Sequence, residues 1–159
     1  MRPPFLINEG WAIFAHPLFV KQLNILVEQV KVLRKKDPVA YVHKNAAKRL
    51  AAILKLALEV IPQDPTRAEY RQGATLGEAH KHWLRANFFQ QYRLFFRYHV
   101  ASKTIVFGWV NDEKTKRAYE SRHDAYRVFE KMLNSGHPPD DWADLLKQSS
   151  KLKDWTQAL

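Results

Sequence analysis

Apolar residues recur along this chain with two different periods, and the change of period divides it into halves. Phe19, Leu23, Leu26, Val30 and Leu33 follow one another at steps of four, three, four and three, which is one face of an amphipathic helix. The helix predicted over 17–36 opens at His16-Pro17, where proline suits a first turn, and closes at Asp37-Pro38. Ala46, Leu50, Ile53, Ala57 and Val60 repeat the pattern and predict a second helix over 38–61, closed by Pro62 and Pro65. Lys44, Lys48 and Lys55 lie off its apolar face. Joined so closely, the two helices are expected to form an antiparallel hairpin. Ahead of them, residues 5–15 mix aromatic and β-branched positions and predict an opening strand.

Residues 62–82 break both periods with two Pro and two Gly, and predict either a loop over a site or a flexible segment. Then 83–88, 91–100 and 103–110 are rich in aromatic and β-branched residues, as strands are. Their short links make them antiparallel neighbours. A short helix is predicted over 124–136, stopped by Gly136, and a last one over 141–148 with Asp140 available as its cap. The order gives the α+β class, with helices packed on one face of an antiparallel sheet. Neither a repeat nor a linker interrupts it, so 1–159 is expected to be a single domain.

Strand alternation selects a chemical face. Trp83, Arg85 and Asn87 share one side of their strand, and Leu84, Ala86 and Phe88 the other. Tyr92, Leu94, Phe96 and Tyr98 oppose Arg93, Phe95 and Arg97 in the same way. The apolar sets belong under the helices, so Arg85, Arg93 and Arg97 are expected together on the opposite, open face. Two accounts compete for them. Each Arg is paired with a carboxylate such as Asp112 or Glu113, or the group grips phosphate, for which a planar guanidinium is suited.

Charge favours the second account. Lys and Arg number 26 against 16 Asp and Glu, a net charge of +10, which attracts polyanions; the alternative is a solubilising surface charge. No cysteine is present, which excludes disulfides and Cys-ligated metal and fits the cytoplasm. The N-terminus has no long apolar run, so no signal peptide is expected. No stretch approaches the ~18–20 apolar residues of a membrane span, so no membrane is expected among the partners. Seven histidines include His80 and His82 on either side of Lys81, but no metal-ligand spacing, Gly-rich phosphate loop or nucleophile elbow occurs. RNA would suit such a face because it carries its own nucleophile, the 2′-hydroxyl. An enzyme need only align that group, move its proton through a Tyr or His, and stabilise the charge that develops at phosphorus.

The segments GWAIFAHPLF, WLRANFFQQYRLFFRY, IVFGWVNDEKTKRAY and DAYRVFEKMLNSGHPPDDW resemble the YhaV toxins of the RelE/ParE superfamily, across roughly residues 10–142. The resemblance implies a small antiparallel sheet carrying an N-terminal helical hairpin. It implies a metal-independent, cofactor-free endoribonuclease that cuts mRNA, free or on the ribosome, and so inhibits translation. It also implies a PrlF-type antitoxin as partner, and operator DNA reached through that antitoxin, so that the pair represses its own promoter. Arg85 matches the Arg of the W-x-R strand, Arg93 the phosphate-contacting Arg of the Tyr-Arg strand, and Tyr119 falls near a functional Tyr. Arg97, Lys81, Lys114, Lys116 and Arg117 are the further cations expected to bind RNA. Asn111, Asp112 and Glu113 match the family's NDE motif, either to position an Arg or to act as acid and base. Two other functions remain: a ParE-like gyrase-inhibiting toxin, disfavoured by the Arg-bearing face and the YhaV-like segments, and a non-catalytic RNA- or ribosome-binding module, which needs the charge alone.

Overall fold

The opening segment turns back on itself. In the computed structural model, which describes residues 7, 8 and 10–152, β1 (Ile7–Asn8) pairs antiparallel with β2 (Trp11–Ala15). Gly10, at a φ of 84°, makes the reversal in the left-handed region that glycine enters freely. The expected strand over 5–15 is therefore a hairpin in its described part; residues 5, 6 and 9 lie outside the described residues.

Helix α1 (Pro17–Lys36) has the predicted bounds and buries Phe19, Leu23, Leu26, Val27 and Val30. Its N-cap is His16, whose Nδ1 accepts from the Leu18 amide at 3.2 Å while Nε2 meets Gln148 Oε1 at 2.8 Å. Burial lowers the His16 pKa, and the Gln148 hydrogen bond only partly opposes this. The unfolded chain therefore binds this proton more readily than the folded one. The stability involved is full above the ordinary histidine pKa of about 6.5 and is lost as pH falls through the lower folded value. We expect the thermal midpoint to fall between about pH 7 and pH 5, and His16→Asn, which keeps a capping oxygen, to flatten that fall. Melting curves across this range check it, and equal slopes for both proteins would refute it.

The second helix starts later than expected. Asp37 Oδ1 accepts from the Val39 and Ala40 amides, which winds 37–44 into turns, and α2 runs over Asn45–Lys55. A π turn (Leu56–Val60) leads into α3 (Ile61–Gln63). There Ile61 N bonds back five residues to Leu56 O. The wider turn precedes Pro62, whose ring disfavours regular helix behind it.

The strands follow the sequence closely: β3 (Leu84–Phe88), β4 (Tyr92–His99) and β5 (Thr104–Val110) form an antiparallel meander. Helix α4 (Ala125–Asn134) and helix α5 (Trp142–Gln148) come next, and β6 (Ser150–Lys151), which the sequence pattern does not predict, pairs with β2. The sheet order is β1-β2-β5-β4-β3. The sheet is mixed and not wholly antiparallel, because β2 runs parallel to β5. The chain leaves β2 through two helices, and such a long connection is what a parallel pair requires.

The Arg-bearing face is not open, as expected, but covered. Helices α1 and α2 bury Leu84, Leu94, Phe96 and Phe107 on one side. On the other, Trp83, Phe95, Val106 and Trp109 pack against Tyr126, Phe129 and Leu133 of α4, Leu145 of α5, and Leu76. β5 is buried along its whole length, and its sequence TIVFGWV is the unbroken apolar run of a strand covered twice. Gly108 is required there: a Cβ would lie 2.5 Å from the Trp83 ring. The 62–82 segment is fixed too. Tyr70, Gln72, Leu76 and His80 are buried, and Gln72 bonds the Leu76 amide and the His80 carbonyl.

Candidate active site

Arg85 and Arg93 project from β3 and β4 toward one atom. Arg85 Nε donates to the Tyr126 hydroxyl at 3.0 Å, and Arg93 Nε donates to the same oxygen at 3.1 Å. Arg85 Nη1 also bonds Glu69 O at 2.6 Å; Arg93 Nη1 bonds Gln90 O at 2.7 Å and Tyr92 O at 2.9 Å. Among the described residues, neither guanidinium has a carboxylate partner, and the Nη2 group of each makes no hydrogen bond. Asp112 and Glu113, the two carboxylates the sequence offers as partners, face elsewhere. Two half-buried cations held side by side without an acid make an anion site, since their repulsion is otherwise uncompensated.

Local structure explains the aim. The β3–β4 turn places Phe89 and Gln90 at φ of 46° and 63°, left-handed values that side chains adopt only under constraint. Arg93 bonds the carbonyl of that turn, and Asn111 fixes the strand start: its Oδ1 accepts from the Arg93 amide at 2.7 Å. Asn111 Nδ2 donates to Gln91 O and Thr115 O. Asn111 is thus buried and positions an Arg-bearing strand.

Tyr126 is held from the other side by Asp124. This buried carboxylate caps α4 by accepting from the Tyr126 amide, and its Oδ1 takes the Ala118 amide at 2.6 Å and Arg117 Nη1 at 2.5 Å. The Arg117 guanidinium sits 4.9 Å from the Tyr126 ring centre and 3.9 Å from that of Tyr119. Arg117 and Tyr119 therefore belong to the same cluster, with Tyr119 on its outside at 84% exposure. Tyr119 makes no contact with Arg85 or Arg93 among those observed.

The remaining expected residues lie elsewhere. Asp112 caps the turn at 113–115 in a capping box with Thr115 and accepts from Gln22 of α1. Glu113 pairs with buried Arg49 of α2 at 3.4 Å. These two and Lys114 line a cavity of about 290 Å³ between α1, α2 and the end of β5. As acid and base they have nothing to act on in the Arg85–Arg93 cluster. Lys116 precedes the cluster and bonds to nothing among the described residues.

Arg97 shares the sheet face but turns away from the pair. Its Nη1 donates to the Asp140 carbonyl, and it lies 5.7 Å from the Trp83 ring centre and 5.5 Å from that of Trp142. Burial lowers its pKa, opposed by Asp140 and Asp141. Asp140 is not the cap of α5; Asp141 is, accepting from the Asp144 amide. The Asp140 side chain instead meets His80 Nδ1 at 2.6 Å, His82 Nε2 at 3.2 Å and Trp83 Nε1 at 2.8 Å. Burial, then the Arg97 charge, holds His82 below the ordinary histidine pKa, against Asp140.

Three residues of these clusters, Tyr126, Asp124 and Asp140, do not emerge as site residues from the sequence. Tyr126 and Asp124 fall inside the predicted 124–136 helix. A usable signal is present: an Asp at a helix N-cap with Tyr two residues on sends that ring back over the preceding loop.

Known proteins are similar to this chain in sequence. The family described as a toxin with endonuclease activity, of a toxin-antitoxin system, matches residues 13–150. The ribonuclease toxin YhaV of Escherichia coli (strain K12) is 44% identical over 144 residues, covering 89% of this chain and 94% of that protein. Toxin YhaV of Escherichia coli O157:H7 matches to the same extent. A solved structure, the RelBE2 toxin-antitoxin complex from Mycobacterium tuberculosis, is similar over 70% of this chain and 98% of its own, at a TM-score of 0.44 and 16% identity. A family match over most of the chain, with near-full-length relatives at this identity, means that the chain belongs to the YhaV family of toxins with endonuclease activity.

Proposed function

We propose that this toxin is an endoribonuclease that cleaves mRNA through the substrate's own 2′-hydroxyl, without metal or cofactor, and thereby inhibits translation. The observation that carries this reading is the convergence of Arg85 and Arg93 on the Tyr126 hydroxyl with no carboxylate between them. A phosphodiester seated there meets two preorganised donors where negative charge grows during in-line attack. Tyr126 holds the donors in place. Tyr119, exposed beside Arg117, is the candidate for proton transfer. The name of its Escherichia coli relative, a ribonuclease toxin, supports RNA as substrate. A PrlF-type antitoxin holds the enzyme silent, and the pair represses its own promoter through the antitoxin's contact with operator DNA. The whole chain acts as one domain, in the cytoplasm.

Incubating the purified protein with RNA in excess EDTA tests this. Cleavage to products ending in a 2′,3′-cyclic phosphate is expected. Tyr126→Phe should slow cleavage about 10–100-fold, the loss of hydrogen bonds to charged groups worth roughly 1.5–3 kcal/mol. The protein should stay folded, at a stability cost of about 1–3 kcal/mol, because the ring still packs on Phe95. RNA that stays intact with the wild-type protein, in EDTA or with added divalent ions, refutes the reading.

A further inference from the structure

Past the Arg85–Arg93 pair, the β3 edge of the sheet carries a second basic cavity, lined by Arg97 from the Arg-bearing face and by Leu84 and Tyr98 from the opposite one. Arg85 sits opposite Phe95 in the β3–β4 register. Arg97 lies two residues further along β4, roughly 7 Å by strand rise, a step comparable to one nucleotide of extended single strand. There Arg71, Lys81, His82 and Arg97 line a cavity of about 460 Å³, together with Gly73, Leu84 and Tyr98. No carboxylate is among its described lining residues. Asp140, the acid beside it, has its carboxylate oxygens directed to His80, His82 and Trp83.

The four basic walls are either uncommitted or fixed in place. Arg71 is exposed and has no polar side-chain partner among the described residues. Among the described residues Lys81 has only Glu78, in its own turn, at 2.8 Å, with both side chains more than half exposed; such a pair holds a lysine weakly. Arg97 is locked by the Asp140 carbonyl and by the Trp83 and Trp142 rings. His82 is oriented by Asp140 through Nε2, which leaves Nδ1 for a ligand. A fixed Arg, two exposed cations and an oriented imidazole around one cavity, with no acid among its described lining residues, are matched to a phosphate group.

The geometry points to this cavity as a second phosphate-binding subsite, holding the RNA phosphodiester next to the one gripped by Arg85 and Arg93. The subsite rests on the reading of the protein as an RNA-cutting enzyme. It assigns Arg71 and Lys81 as direct phosphate contacts and Arg97 as the fixed anchor. It also gives the ordered 71–82 segment a role, since that segment brings two of the cations to the sheet edge.

The test measures binding of a fluorescent deoxyhexanucleotide, which lacks the 2′-hydroxyl and stays intact, to the full chain over a series of salt concentrations. Each phosphate contact on a single strand contributes about 0.7 to the slope of log affinity against log salt. Arg71→Ala and Lys81→Ala are each expected to lower that slope by about 0.7 and to weaken binding several-fold at low salt. Lys35→Ala, on α1 behind the opposite face, should match wild type. Wild-type slope in both cavity variants overturns the subsite. An equal loss in all three overturns it too, since a diffuse positive field then explains the binding. Failure of the enzymatic reading shows separately, as RNA that survives incubation with the wild-type protein whatever the slopes are.

Discussion

Replacing Arg85 or Arg93 with alanine is expected to slow RNA cleavage about 100–1,000-fold while the protein stays folded. The rate loss follows from geometry. Both guanidiniums are fixed by Tyr126 and by backbone carbonyls, so each presents a donor that needs no reorganisation as charge develops at phosphorus. A tenfold loss corresponds to about 1.36 kcal/mol of transition-state stabilisation, so the expected effect is roughly 3–4 kcal/mol. The stability cost is smaller, about 1–2 kcal/mol, because the carbonyls left behind are near solvent. It is larger for Arg93 than for Arg85, since Arg93 also ties down the left-handed Phe89-Gln90 turn. Arg97→Ala should affect rate less, because Arg97 turns toward Asp140. A cleavage time course beside a melting curve for each variant decides the matter. Wild-type cutting by both variants would remove this cluster from the mechanism. A collapse of the fold in Arg85→Ala would make the residue structural.

The largest stability effect is expected at Asp124. Its carboxylate is 3% exposed and its partner Arg117 15% exposed, and removing one member of a buried ion pair typically costs about 3–5 kcal/mol. Asp124→Ala also removes the cap of α4 and the acceptor for the Ala118 amide. For a chain of this size the Tm should drop by roughly 6–20 °C, at about 2–4 °C per kcal/mol. Activity should fall with it even below the melting range, because Tyr126 loses its anchor and Arg85 and Arg93 lose their common acceptor. Asp124→Asn retains one acceptor oxygen and is expected to fall between wild type and alanine. A Tm within about 2 °C of wild type for Asp124→Ala would show that the 117–124 loop does not depend on this carboxylate.

The sequence is most legible where a local period and a local stop agree. Helix α1 has its predicted bounds because its stripe of Phe19, Leu23, Leu26 and Val30 is bracketed by His16-Pro17 and Asp37-Pro38. β3, β4 and β5 fall close to their expected bounds because strand alternation and short turns are local properties. The second helix slips at its start, where the Asp37 side chain captures the amides that would otherwise begin it.

What the sequence determines by itself is which residues share a face. A period of two needs only the backbone, so alternation alone puts Arg85, Arg93 and Arg97 on one side of the sheet. What covers that side is not a local property. Phe95, Trp109 and Trp83 lie on it as well, and burying them requires α4 and α5, which come from distant sequence. Tertiary structure therefore turns an expected open surface into a cleft on that face and a separate cavity at the sheet edge. One gathers Arg85, Arg93 and Arg117 about Tyr126, the other gathers Arg71, Lys81, His82 and Arg97. It also decides whether the arginines have acid partners. Asp112 and Glu113 are near enough in sequence to pair with them, yet the end of β5 directs both toward α1 and α2, to Gln22 and Arg49. Strand alternation fixes the direction of a side chain, but only the packing of remote elements fixes its partner.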